Sequence, residues 1–85
     1  MSPVTIYIKP MCPYCSRAMN LLTKKGVKYD EIEAAWDPEK KKEMLSKSNG
    51  KTTYPQIFIG ETHVGGCDEL MALDGRGELD KLLAA

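Results

Sequence analysis

The chain has 85 residues, and twelve Lys plus Arg balance twelve Asp plus Glu for a formal net charge of zero. That length allows one small core, so a single domain over residues 1–85 with a modest stability margin is expected. Charge balance argues against a nucleic-acid partner. The absence of a long apolar run or a signal-like N-terminus predicts a cytoplasmic protein with no membrane partner.

In chain order, Val4-Thr5-Ile6-Tyr7-Ile8 is β-branched and aromatic and reads as a strand covered on both faces. Lys9-Pro10-Met11 ends it. Cys12 then falls at a helix N-cap, with Pro13 at the first helical position, where a missing N–H costs nothing. The helix runs to about Lys25, with Gly26 as its C′ residue. Cys15, Ala18, Met19 and Leu22 share one face of it, so Cys15 belongs to the buried stripe and Cys12 to a solvent-accessible helix mouth.

Val27 to Ile32 reads as a second strand, parallel to the first across a βαβ crossover. Asp37-Pro38-Glu39 starts a charged helix to about Ser48 that has only Met44 and Leu45 as anchors. Trp36 is expected to cap that helix hydrophobically. Asn49-Gly50-Lys51 breaks the chain. Pro55 to Gly60 and Thr62 to Val64 then form a hairpin turning at Gly60-Glu61. Gly65-Gly66 leads into a helix opened by Cys67-Asp68-Glu69, and a last short helix buries Leu79, Leu82 and Leu83. The expected architecture is α/β: a four-stranded mixed sheet flanked by helices.

The chemistry centres on Cys12-Pro13-Tyr14-Cys15. Unpaired N–H groups and the helix dipole favour negative charge at a helix start, and the thiolate is the reactive form of cysteine. Three cysteines without a signal peptide speak against a structural disulfide framework. A C-x-x-C at the first strand-to-helix turn of a βαβ unit reads as a thioredoxin-like redox site.

Three runs, Cys12-Pro13-Tyr14-Cys15, Thr53-Tyr54-Pro55-Gln56-Ile57-Phe58-Ile59 and Gly65-Gly66-Cys67-Asp68, together resemble the bacterial dithiol glutaredoxins over essentially the whole chain. The resemblance implies a glutathione-dependent thiol–disulfide oxidoreductase acting on glutathionylated and disulfide-containing proteins. Glutathione would be the co-substrate, no cofactor would be tightly bound, and the protein would act as a monomer. It implies Cys12 as nucleophile and Cys15 as resolving thiol. The groove for glutathione would be formed by Lys9, Tyr14, Thr53, Tyr54, Pro55, Gly66, Cys67 and Asp68, with a cis bond at Tyr54-Pro55. Tyr54 stands where relatives usually carry a small aliphatic residue, which would add bulk beside the sulfurs.

Each of these residues also has a plainer reading. Asp68 stabilises its own helix start whatever binds there. Lys9 alone is a solvated strand-end lysine, Cys67 a partly buried small residue, His63 a surface strand residue and Lys40-Lys41-Lys42 a solvated helix face. The rival function is an iron–sulfur or metal carrier that uses Cys12 with glutathione. Carrier glutaredoxins typically show Cys-Gly-Phe-Ser here, and this chain has a proline and a second cysteine instead.

Overall fold

The structure, a computed structural model, describes residues 2–85. The elements are β1 (Val4–Ile8), α1 (Pro13–Lys24), β2 (Tyr29–Glu33), α2 (Pro38–Lys47), β3 (Gln56–Ile59), β4 (Thr62–Gly65), α3 (Cys67–Gly75) and α4 (Leu79–Ala84). They form one sheet in the order β2-β1-β3-β4. β1 pairs parallel with β2, placing Tyr7 beside Ile32, and antiparallel with β3, placing Ile6 beside Ile57. β3 pairs antiparallel with β4. The C-terminal ends of β1, β2 and β4 and the N-terminal end of β3 therefore share one edge of the sheet, and four loops converge there.

α1 starts and stops as its residues dictate. Cys12 is its N-cap and Pro13 opens it. At the other end Gly26 is left-handed, at φ 72°. Gly26 N–H donates to the Thr23 carbonyl and Val27 N–H to that of Leu22, the paired bonds of a Schellman cap. Using Val27 in the cap delays β2, which begins at Tyr29 and not at Val27 as the sequence suggested.

Alternation along β1 and β3 splits the core between the two faces. One face buries Val4, Ile6, Ile57 and Ile59 against Ala18 and Leu22 of α1, Leu70 of α3, and Leu79 and Leu83 of α4. The other buries Tyr7, Phe58, Ala34 and Met44, a much smaller cluster under α2. Met44 is the fully buried anchor of that helix, and the Tyr7 hydroxyl donates to the Glu43 carboxylate beside it.

Trp36 does not cap α2; it is 78% exposed. The capping is done by Asp37, whose carboxylate accepts from the N–H groups of Glu39 (3.1 Å) and Lys40 (3.3 Å). The Asp37 N–H donates back to the Ala34 carbonyl, so the chain turns there with Ala34 inside and Trp36 out. His63 departs from its surface reading too. It is half-buried, stacked 4.8 Å from Phe58, with Nε2 2.7 Å from Gln56 Oε1.

With one fully buried apolar anchor, α2 is the helix most sensitive to a single truncation. Met44→Ala is expected to cost about 2–5 kcal/mol in urea unfolding, whereas Lys41→Ala on the exposed face stays within about 0.5 kcal/mol. The Tyr7 hydroxyl holds the Glu43 carboxyl below the usual glutamate range. That contact stabilises the fold above the ordinary glutamate pKa of about 4.3 and is lost as pH falls through the lower folded value. Tyr7→Phe should therefore flatten the acid limb of the urea midpoint plotted against pH, and an unchanged limb would exclude the pair as its source.

Candidate active site

The site is built on the β1–α1 loop. An N-cap side chain has to fold back over the first turn to meet an orphan N–H. Cys12 does so: its Sγ accepts from the Cys15 N–H at 3.2 Å, and the Tyr54 carbonyl lies 4.0 Å from it. This geometry corrects the open helix mouth expected from the sequence, because Cys12 is only 6% exposed. Cys15 lies deeper, at 1% exposure, on the face of α1 that carries Ala18 and Leu22.

The two sulfurs are electrostatically unequal. Burial pushes the Cys15 thiol up to about 12, reinforced by its hydrogen bond to Cys12 and by the charge there, while Lys9 acts in the opposite direction. Burial raises the Cys67 thiol as well, with Arg17 opposing.

Beside the sulfurs lies a cleft of about 360 Å³. Seven of the ten residues singled out in the sequence line it: Tyr14 on one wall, Thr53, Tyr54 and Pro55 on another, and Gly66, Cys67 and Asp68 at the start of α3. The Tyr54-Pro55 bond is cis. Cys12 and Cys15 stand next to this cleft, while Lys9 is exposed on the loop after β1 and is not part of its lining.

The Tyr54 ring packs against the second core cluster of Tyr7, Ala34, Met44 and Phe58 while the residue also lines the cleft beside the sulfurs. Its hydroxyl is buried and, among the described residues, without a hydrogen-bond partner.

The cleft rests on residues that the sequence reading passed over. Gln56 is 2% exposed, and its amide donates to the Thr53 carbonyl (2.9 Å) and Oγ1 (3.0 Å) while its Oε1 meets His63. This buried bridge ties the Thr53–Pro55 wall to β4. On the other wall, the Glu69 carboxylate accepts from the Gly66 N–H at 3.0 Å and caps α3. Gly65 makes room for it: its φ is 113°, and a Cβ there would lie 2.7 Å from Glu69 Oε1. The Gly66-x-x-Glu69 spacing was the available signal, since an acid three residues after a cap position reaches back to the cap N–H. Arg17 lies over the Tyr14 ring at 5.7 Å, as i and i+3 neighbours on one helix do.

Two measurements follow from this geometry. At pH 8 a thiol of pKa about 12 is about one part in ten thousand thiolate, so a mild alkylating agent should label Cys12 well before Cys15 in mass spectra despite the cover over both. Preferential labelling of Cys15 would reverse the assignment. Tyr54→Phe removes an unpartnered buried hydroxyl and should raise stability by about 1 kcal/mol with unchanged Cys12 labelling.

The glutaredoxin family profile matches residues 4–64. A glutaredoxin from Pseudomonas aeruginosa is 55% identical over 85 residues, covering 100% of each chain. The solution structure of a glutaredoxin from Brucella melitensis is 53% identical, with a TM-score of 0.84 over 98% of this chain and 89% of that one. A buckwheat glutaredoxin crystallised in complex with glutathione is 34% identical, with a TM-score of 0.84 over 98% of this chain and 77% of that one. The chain belongs to the glutaredoxin family, the glutathione-dependent thiol–disulfide oxidoreductases built on a thioredoxin-like fold.

Proposed function

We propose that Cys12 is the attacking thiolate and Cys15 the resolving thiol, with glutathione seated in the adjacent cleft. One observation carries the assignment: the Cys15 N–H points at Cys12 Sγ, while burial holds the Cys15 thiol protonated. The substrates are glutathionylated and disulfide-containing proteins. The chain acts as one domain and as a monomer, in the cytoplasm, without a tightly held cofactor or a nucleic-acid or membrane partner.

On a glutathionylated protein, the Cys12 thiolate attacks the glutathione sulfur. The S–S bond breaks and the protein leaves as a thiolate. A second glutathione thiolate then attacks the Cys12-bound glutathione, which yields glutathione disulfide and restores the Cys12 thiolate. On a protein disulfide, Cys12 attacks one sulfur and the other departs as a thiolate. Cys15 then gives up its proton, displaces the remaining protein thiolate from Cys12 and closes the Cys12–Cys15 disulfide. Two glutathiones supply the two electrons that reopen it.

Timing follows from the electrostatics. Two of the causes that raise the Cys15 pKa come from Cys12, its hydrogen bond and its charge. Both weaken once the Cys12 sulfur is tied up in a mixed disulfide, so the resolving thiol becomes more acidic only after the first attack. Burial remains and keeps it slow.

In the cleft, the Tyr54-Pro55 backbone is suited to pair with the cysteinyl part of glutathione. Asp68, with the N–H groups at the start of α3, suits the γ-glutamyl end. Tyr14 and Thr53 form the walls, Gly66 and Cys67 the floor, and Lys9 stands on the loop leading into the site, toward the glycyl carboxylate.

Cys12→Ser should abolish reduction of both disulfide classes. Cys15→Ser should keep deglutathionylation and lose the protein-disulfide route, and the opposite pattern would overturn the assignment. Asp68→Ala is expected to raise KM for glutathione about tenfold with kcat little changed, the loss of one charge-assisted hydrogen bond. Protein as isolated should be colourless; a visible chromophore lost in Cys12→Ser would favour the iron–sulfur carrier.

A further inference from the structure

Three large hydrophobic side chains are exposed among the described residues: Met11 at 99%, Tyr14 at 55% and Trp36 at 78%. Single exposed apolar residues are ordinary, but these three all belong to the loop-bearing edge of the sheet that carries Cys12. Tyr14 is accounted for by the cleft. Met11 and Trp36 line no part of it.

Strand order places the two remaining residues. Along this edge the loops follow the sequence β2, β1, β3, β4: first the 34–37 turn with Trp36, then Met11 and Cys12, then Tyr54-Pro55, then Gly66-Cys67. The cleft therefore occupies the β3–β4 side of Cys12, and Met11 and Trp36 the β2 side. The Ala34 N–H donates to the Ile8 carbonyl at 3.0 Å, which joins their two loops. Both side chains sit on irregular backbone at this edge. The Asp37 N–H bond to the Ala34 carbonyl sets the turn at Trp36, and Met11 has φ 54°. That left-handed conformation is disfavoured for a long side chain, where glycine or asparagine is the easier choice.

We propose that Met11 and Trp36 form a docking rim for the protein part of the substrate, selecting segments with apolar side chains next to the disulfide cysteine. The inference rests on the proposed function and deepens it. Glutathione is a charged tripeptide with its matching groups in the cleft, and an apolar rim on the far side of Cys12 offers it nothing. A protein bearing the disulfide has to extend beyond the cleft, and the β2 side is where uncovered apolar surface continues from the site. A flexible thioether next to a flat indole suits varied apolar partners.

The test uses two peptides of equal length, each glutathionylated on a single cysteine flanked by leucines in one and serines in the other, together with the mixed disulfide of glutathione and 2-mercaptoethanol. The wild type should favour the leucine peptide in kcat/KM by about tenfold, equivalent to about 1.4 kcal/mol, mainly through KM. The double variant Met11→Asn/Trp36→Ser, with asparagine chosen to tolerate the left-handed backbone, should erase that preference and leave turnover of the small disulfide unchanged. A wild type that treats both peptides alike, a variant that keeps the preference, or a variant that loses equally on the small disulfide would overturn the rim. Wild type inactive on the small disulfide itself would instead sink the assignment of function on which the rim rests.

Discussion

The contact between the Cys15 N–H and Cys12 Sγ is the constraint on which the other features depend. It is at once a helix cap and an arrangement of charge. As a cap, it satisfies an N–H that α1 would otherwise leave unpaired, and it fixes the turn in which Pro13 and Tyr14 sit. As an arrangement of charge, it aims a donor at the Cys12 sulfur, while Cys15, one turn further, is buried on the core side. That hydrogen bond and the deeper burial of Cys15 together make two chemically identical side chains unequal. The proposed division of labour is this inequality read as mechanism.

That contact needs a rigid frame, and the frame is uneven. The face under α1, α3 and α4 holds the larger core and supports both the cysteine-bearing helix and the start of α3, where Cys67 and Asp68 stand. The face under α2 holds few buried side chains, and Tyr54 contributes its ring to them. Tyr54 therefore belongs to two structures at once: its carbonyl approaches Cys12 and its ring fills the smaller core. A residue with both duties couples the packing under α2 to the wall of the cleft. The buried Gln56 amide does similar work for Thr53, linking the wall to β4 through His63.

Much of this was legible in the order of the residues. β1, the start of α1, the Asp37 cap, the hairpin at Gly60-Glu61 and the three separated site runs are local patterns, and local patterns reflect hydrogen bonding over a few residues. The misses share a cause. Trp36 points to solvent where a hydrophobic cap is expected, His63 is half-buried against Phe58 and Gln56, and Cys12 is covered where Tyr54 comes across from 42 residues away. Each error concerns what a distant segment does to a side chain.

By itself the sequence determined that one sulfur caps a helix and the other lies on its buried stripe, because N-cap position and helical period are properties of the residues between 12 and 22. It also determined the residue types of the cleft. Only the tertiary structure decided that those residues meet, since the sheet order β2-β1-β3-β4 brings four loops to one edge. It alone decided how far the sulfurs are covered, where the Tyr54 ring goes, and which side of Cys12 keeps Met11 and Trp36 exposed. Burial is set by whatever else packs into the same space, and in this chain those neighbours come from segments far apart in sequence.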